Sequence, residues 1–392
     1  MKKTKENQLG ITMIALIVTV IVLLILAGIS IATLNGDSGI IKKSKEAKEQ
    51  TEISEEKEVV DRATVQAMGN NKKGDLIESE LQEQLDKIAS SGKTEVTDTG
   101  EEFEVLFKES NRYYTIDKEG NISDSKEIIK DMYPGDITRG KDGKILDGSK
   151  EQPYEIWCIE DLVAFSNIVN GNGIKFENGQ SVQIKNKENF SNNYVEIKQD
   201  LNFKSKLSYA NSERTDFGNI NGIAEDSNTL INEMTTGTGF TPIGHENSGF
   251  GGIFSGNNNK IKEIYINRET NAGLFGMIAS PNIKNVEISG NIIATGEGEN
   301  AGSICGKCFN VSAEGNIENC INRAKINGSF AGGIVGFLSS SSKTLKISNC
   351  INTGDITGSI CSGGIMGYAH TKTMIVNCCN SGQIVMKLAE RS

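Results

Sequence analysis

The rhythm of hydrophobic and polar positions changes several times along this chain, and each change marks an element. Ile11–Leu34 (ITMIALIVTVIVLLILAGISIATL) is an uncharged run of twenty-four residues, and about 20 apolar residues suffice to cross a bilayer as a helix. Residues 1–10 before it are polar and basic, with Lys2, Lys3 and Lys5, and end in Gly10. That bias predicts a cytoplasmic leader, a single-pass helix in the cell membrane and an extracellular body. Residues 35–69 carry Glu and Lys at three- and four-residue spacing, with a thin apolar seam of Ile53, Val60, Thr64 and Ala67. The spacing predicts a charged helical stalk, either solvated or turned toward a partner. In residues 70–124, Leu76, Ile77, Leu81, Leu85 and Ile88 recur with helical period over Asp75–Ala89. Short strand-like runs follow at Thr94–Thr97, Phe103–Phe107 and Tyr113–Ile116. A helix feeding a small sheet, an α+β head, is the expectation. Residues 125–152, with Pro134-Gly135 and a polar run, keep no period and read as a linker.

Residues 153–249 predict a strand at Pro153–Trp157 and a helix over Glu160–Asn170, where Leu162, Phe165, Ile168 and Val169 share one face. Such a helix suits the cap of a first coil, whose edge would otherwise expose unpaired backbone groups. Residues 250–392 repeat. The segments GGIFSG, AGLFG, AGSICG, AGGIVG and SGGIMG end on Gly256, Gly276, Gly306, Gly336 and Gly367. IKEIYI, IKNVEI, IENCIN, ISNCIN and IVNCCN keep step with them, and AKING, GDITG and GQIV form a third β-branched series. A period near thirty with three short strands per unit predicts a solenoid. The expected fold class is therefore mixed: a transmembrane helix, a small α+β head, then an all-β solenoid, a parallel β-helix. Gly276, Gly306, Gly336 and Gly367, with Cys320, Cys350 and Cys378, are read as the core of the repeat, the small residues fitting its corners. Cys320, Cys350 and Cys378 take one inward slot on successive coils ~4.8 Å apart, a packed thiol ladder that an oxidising exterior could also cross-link.

Composition narrows the chemistry. The net charge is −10, and residues 35–130 hold 15 basic against 23 acidic side chains. With no basic patch, nucleic acid is not an expected partner. The two histidines, His245 and His370, stand far apart in the sequence and leave little for a histidine metal site or a catalytic triad. Cys305-Gly306-Lys307-Cys308 has the spacing of a redox or half-zinc motif, but Cys305 falls in the slot held elsewhere by Phe275, Val335 and Met366, so it reads as core. Asn257-Asn258-Asn259 could lend oxygens to calcium; without an acid in Gly251–Lys260, it reads as a turn. A glycosidase usually needs two carboxylates about 5–9.5 Å apart. Of the nine acids between Gly251 and Ser392, only Glu297/Glu299 and Glu314/Glu318 are close in sequence, and no register stacks two on one face. No catalytic, metal or cofactor residues are assigned, and the chain is not read as an enzyme. Met277–Asn282, Lys307–Gly315, Phe337–Thr344 and Tyr368–Thr373 are read as outward stretches, with Phe309, Phe337 and Tyr368 as contact aromatics.

Two stretches carry family resemblance. The leader ending in Gly10 before an unbroken hydrophobic helix resembles a type IV prepilin signal. That resemblance implies a prepilin peptidase cutting after Gly10 and an N-methylated Ile11. It also implies a membrane partner and other pilin subunits as further partners. The fifth mature residue, Glu in most of that family, is Ala15, which leaves polymerisation open. A signal peptide cut near Ala27 or Ala32 and an uncleaved anchor are the competing readings. The repeats over Phe250–Met386 resemble the GLUG motif of bacterial cell-surface proteins, some of them adhesins. They imply a surface protein whose solenoid meets an extracellular glycan or matrix ligand. A structural minor pilin or pseudopilin of a type IV pilus or type II secretion-like system is the first alternative, and a β-helix polysaccharide-degrading enzyme the second.

Overall fold

Short apolar runs flanked by glycine and polar residues cannot bury both faces of a lone strand, and here they stack coil upon coil. The computed structural model of the chain describes residues 40–70, 74–110, 112–123, 126–127, 135–141, 144–171, 190–209, 227–246, 248–279, 281–309, 315–339 and 343–387. Gly10, Ile11 and the Ile11–Leu34 run lie outside the described residues. Among the described residues, no helix is long and apolar enough to cross a membrane. Two units separate. One is built on the helices from residue 40 onward; the other takes the described residues from 126 onward, with 97–104 and 112–113.

In the first unit, Ile40–Asn70 is a 31-residue helix, and Glu78–Leu85 is a second that runs on into a wider turn over Asp86–Ser90. Most of the thin seam of the long helix is buried: Val60, Thr64 and Ala67 are almost wholly shielded, as is Ala63 beside them, while Ile53 is half-buried. Tyr114, on the third strand of the head sheet, donates its hydroxyl to the Ile53 carbonyl at 3.2 Å and to the Glu56 carboxylate at 2.9 Å. Phe107 meets Tyr114 edge-on at 5.6 Å. The division between units runs through the head sheet, whose strands are ordered Thr94–Asp98, Glu102–Phe107, Arg112–Asp117 and Lys126–Glu127, with the last pair antiparallel.

The second unit is a β-solenoid of about four turns with three parallel faces. The first face stacks Phe275–Ile278, Cys305–Cys308, Val335–Leu338 and Met366–Ala369. The second runs from Tyr154–Ile156 through Tyr194–Ile197, Ile253–Ser255, Asn282–Lys284, Gly315–Glu318 and Leu345–Ser348 to Thr373–Val376. The third carries Leu201–Asn202, Lys260–Arg268, Glu287–Ala294, Lys325–Gly332, Ile356–Gly363 and Ile384–Met386, with short pieces at Ile321–Asn322, Ile351–Asn352 and Cys379–Asn380. Parallel stacking thus begins at Tyr154, earlier than the sequence repeat, because the first coils share the geometry but not the glycine-rich motif. Like residues line up along the axis: Ile283, Ile317, Ile347 and Ile375 on the second face, and Ile292, Ile326, Ile356 and Ile384 on the third. The helix Ile159–Val169 packs Phe165 against Phe190, Phe250 and Phe254, with ring centroids 5.2, 5.6 and 6.1 Å away.

The repeat glycines do not sit at corners. Gly276, Gly306, Gly336 and Gly367 lie within the strands of the first face. A Cβ on each would meet backbone, at 2.6 Å from the Gly244 oxygen, 2.9 Å from the Ala272 nitrogen, 2.7 Å from the Ala301 oxygen and 2.5 Å from the Gly336 oxygen. Close backbone approach, and not turn conformation, is what requires them. The left-handed corner belongs to asparagine. Asn285, Asn319, Asn349 and Asn377 hold φ of 57°, 53°, 54° and 52°, a region asparagine tolerates better than most residues.

Candidate functional site

Below the cap helix, the loop after Thr236 turns back onto the solenoid and borders a cleft of about 490 Å³. Its lining includes Thr241, His245, Glu246, Arg268, Asn271 and Glu299. Asn170, at the C-terminal end of the cap helix, holds the loop. Its amide nitrogen donates to the Pro242 carbonyl at 3.0 Å, and its amide oxygen accepts the Gly244 N–H at 2.9 Å. Ser166 adds a hydroxyl donated to the Thr241 carbonyl at 2.7 Å. The sharp turn needs Gly244, where φ is 81° and a Cβ would stand 2.4 Å from the Met277 oxygen. One ring nitrogen of His245 lies 3.1 Å from the Asn170 carbonyl.

Arg268 ends the third-face strand Lys260–Arg268 and supplies the cation of the cleft. Its Nη2 donates to the Gly239 carbonyl at 2.5 Å and to the Thr241 hydroxyl at 2.9 Å, while its Nε is buried without a hydrogen-bond partner. Burial alone lowers its pKa, which leaves the guanidinium charged and poorly solvated. Glu299 lies one coil further along. Burial raises its carboxyl above the usual range; Lys307 opposes that rise, and Glu246 adds to it. Lys307 reaches Glu246 at 3.9 Å, a loose pair on a mostly exposed glutamate. Asn271 and Asn300, from neighbouring coils, join their amides at 2.5 Å. The cleft therefore offers the positive charge of Arg268, two carboxylates, and hydroxyl and amide groups from Thr241, Thr270 and Asn271.

The other residues singled out in the sequence fall elsewhere. Cys320 and Cys350 are wholly buried, Cys378 is half-buried, and each thiol bonds the carbonyl two residues before it, at 3.3, 3.3 and 3.4 Å. Burial pushes the Cys320 thiol up. Cys305 is in register with Phe275, Val335 and Met366. Cys308 departs from its outward reading: it aligns with Ile278 and Leu338, is fully buried, and stands 3.5 Å from the Cys305 sulfur. All eight cysteines are free thiols. Among the described residues, no group of three or more His, Cys, Asp or Glu is placed to hold a metal ion. Asn257 and Asn258 take the left-handed conformation, and Asn257 and Asn259 donate to the Ile197 carbonyl, so the run is a turn. Of the acid pairs, Glu299 reaches the cleft; Glu314 lies outside the described residues. Phe337 and Tyr368 stack at 5.5 Å, joined by Phe330 and His370, while Phe309 lies against Gly249.

Sequence reasoning passed over Glu246 and Arg268, which no motif marks, and weighed His245 only as a metal or triad residue. It also passed over the second asparagine of each IENCIN-type segment. Asn322 donates to Asn352 at 2.6 Å and Asn352 to Asn380 at 2.5 Å, in the column where an earlier coil has Ile288. That signal was legible as a repeated Asn-Cys-x-Asn.

The fold and cleft define a β-solenoid with a polar, charge-bearing pocket on its flank. No family model matches the chain, and no curated protein does. Among solved structures, a crystal structure of "a putative immunoglobulin A1 protease from Bacteroides ovatus" is similar over 67% of this chain and 85% of that one, at 16% identity and a TM-score of 0.38. A likeness of that degree carries no argument about function.

Proposed function

We propose that this chain is a pilin-like, membrane-anchored bacterial surface protein that holds its solenoid outside the cell as a binding module. The uncharged Ile11–Leu34 run and the basic leader support anchoring and export, and the leader's resemblance to a prepilin signal supports cutting after Gly10 by a prepilin peptidase. The GLUG-like segments support display at the cell surface. The observation that carries the binding reading is the cleft at Arg268, whose charged and hydrogen-bonding groups are fixed by stacked coils and by the cap-helix end. A stacked interior keeps such groups in place without ligand, which lowers the ordering cost of association. Its ligand is an extracellular glycan or matrix polymer, bound and released unchanged. Incubating the full chain with extracellular polymers and measuring both retention and chain length tests this. Retention without shortening is the expected result, and no retention on any polymer would overturn it.

One observation favours a second reading. Glu246 and Glu299 line the same cleft, and two carboxylates are what hydrolysis of a glycosidic bond needs. Under that reading the polymer shortens, and Glu299→Gln abolishes the shortening.

A further inference from the structure

Arg268 is the least satisfied group in the cleft. Two of its contacts, to the Gly239 carbonyl and the Thr241 hydroxyl, fix the plane of the guanidinium, and its Nε–H is buried with no acceptor. No carboxylate among the described residues pairs with it; the ion pair beside the cleft joins Lys307 to Glu246. Both Nη2 hydrogens are already donated and Nε is enclosed, so an anion in the cleft meets this guanidinium through Nη1, where a carboxylate accepts a charge-assisted hydrogen bond.

The remaining lining decides what bears that carboxylate. Glu246 and Glu299, when ionised, only accept hydrogen bonds, so the ligand must bring several donors. Thr270 and Asn271 can each donate and accept, and Pro242 and Met277 add apolar surface. A sugar ring with several hydroxyls, an apolar C–H face and one carboxylate meets every one of these demands. A phosphate group, at about −2, carries more charge than one guanidinium neutralises, whereas a single carboxylate matches it. The volume of 490 Å³ lies within the range of small-ligand pockets.

We propose that the cleft binds a uronic acid residue of an extracellular glycan, with its carboxylate on Arg268 and its hydroxyls on Glu246, Glu299, Thr270 and Asn271. This rests on the reading of the chain as a surface-binding module and names the ligand class for it.

The test displays glucuronate- and galacturonate-terminated oligosaccharides, their neutral glucose and galactose counterparts, and acidic peptides to the full chain. Uronates are expected to bind at least about tenfold more tightly than the neutral sugars, the factor that a charge-assisted pair supplies. Arg268→Gln brings uronate binding down to the neutral level, and Arg268→Lys restores part of it. Reducing the uronate carboxyl to an alcohol removes the preference on the unmodified protein, so this arm decides the matter even if Arg268→Gln fails to fold. Equal binding of uronate and neutral sugars, or selection of acidic peptides alone, overturns the uronate site and leaves the binding-module reading standing. Binding of no displayed glycan or peptide at all overturns both. Cleavage of a bound uronide with affinity that depends on Arg268 supports the site and overturns the non-enzymatic reading.

Discussion

Inside the solenoid, side chains that look chemically ambitious in the sequence are placed to stack. Cys320 and Cys350 occupy the same inward slot on adjacent coils, and Asn322 and Asn352 do so beside them. The amides satisfy one another along the axis and also bond local backbone, as when the Asn322 oxygen accepts the Ala324 N–H at 2.9 Å. That is the condition under which a buried polar group is tolerated. A thiol behaves as a small hydrophobe and needs less. Cys350→Ala is therefore expected to cost only about 1 kcal/mol. Cys350→Asp, which buries a charge with no partner, should cost at least about 3 kcal/mol. Denaturant unfolding of both variants checks the ranking, and equal losses would contradict the core assignment.

At the level of elements, the first-face strands and the cap helix carry different constraints. Gly336 allows coils to approach: a Cβ there would meet the Ala301 and Gly306 oxygens, both at 2.7 Å. Gly69, near the end of the long helix, has nothing within 4 Å of its Cβ position. Gly336→Ala should lower the melting temperature by several degrees, while Gly69→Ala should leave it level or raise it, since alanine favours a helix by about 1 kcal/mol. The cap helix depends on Asp161, whose carboxylate accepts N–H groups from Gly135, Trp157 and Cys158 at 2.7, 2.9 and 3.2 Å. Burial outweighs those bonds and raises its pKa from 3.8 to about 6. The folded state thus holds the proton more tightly than the unfolded one. Its contribution is greatest below about pH 4, falls as pH rises through about 6, and changes by ~3 kcal/mol in all. Asp161→Asn should accordingly cost more stability at pH 4 than at pH 7. Denaturant titration at the two pH values measures the difference, and the opposite order would show that the hydrogen bonds dominate.

For the whole molecule, the leading question is where mature chains begin. If Gly10 is the cleavage position, Gly10→Val should leave the leader attached, whereas Ala27→Leu should change little. N-terminal sequencing of the membrane fraction reads this directly. A start near Ser30 or Thr33 would favour a conventional signal peptide and detach the body from its proposed anchor. The same fractionation separates a surface protein from a structural pilin, because incorporation into filaments with no polymer binding is the outcome that the pilin alternative requires.

The repeat of about thirty residues was enough to predict stacked strands, since equal spacing with matching Ile, Cys and Gly positions can be satisfied only by coils in register. It also placed Cys305, because the column of Phe275, Val335 and Met366 leaves that slot no other neighbour than the core. It misread the glycines and Cys308. Corner or strand, loop or core depends on how closely adjacent backbones approach and on a local bend that brings both Phe275 and Ile278 inward, and neither is a property of one segment. The cleft was hidden for a related reason. Asn170, Glu246, Arg268 and Glu299 lie up to 129 positions apart, share no motif, and meet only because the coils carry the chain back past the same flank while the cap-helix end pins a loop against it. Periodicity is a local record of burial and is written in the sequence. A site made of unlike residues from different coils comes into being only when the coils stack.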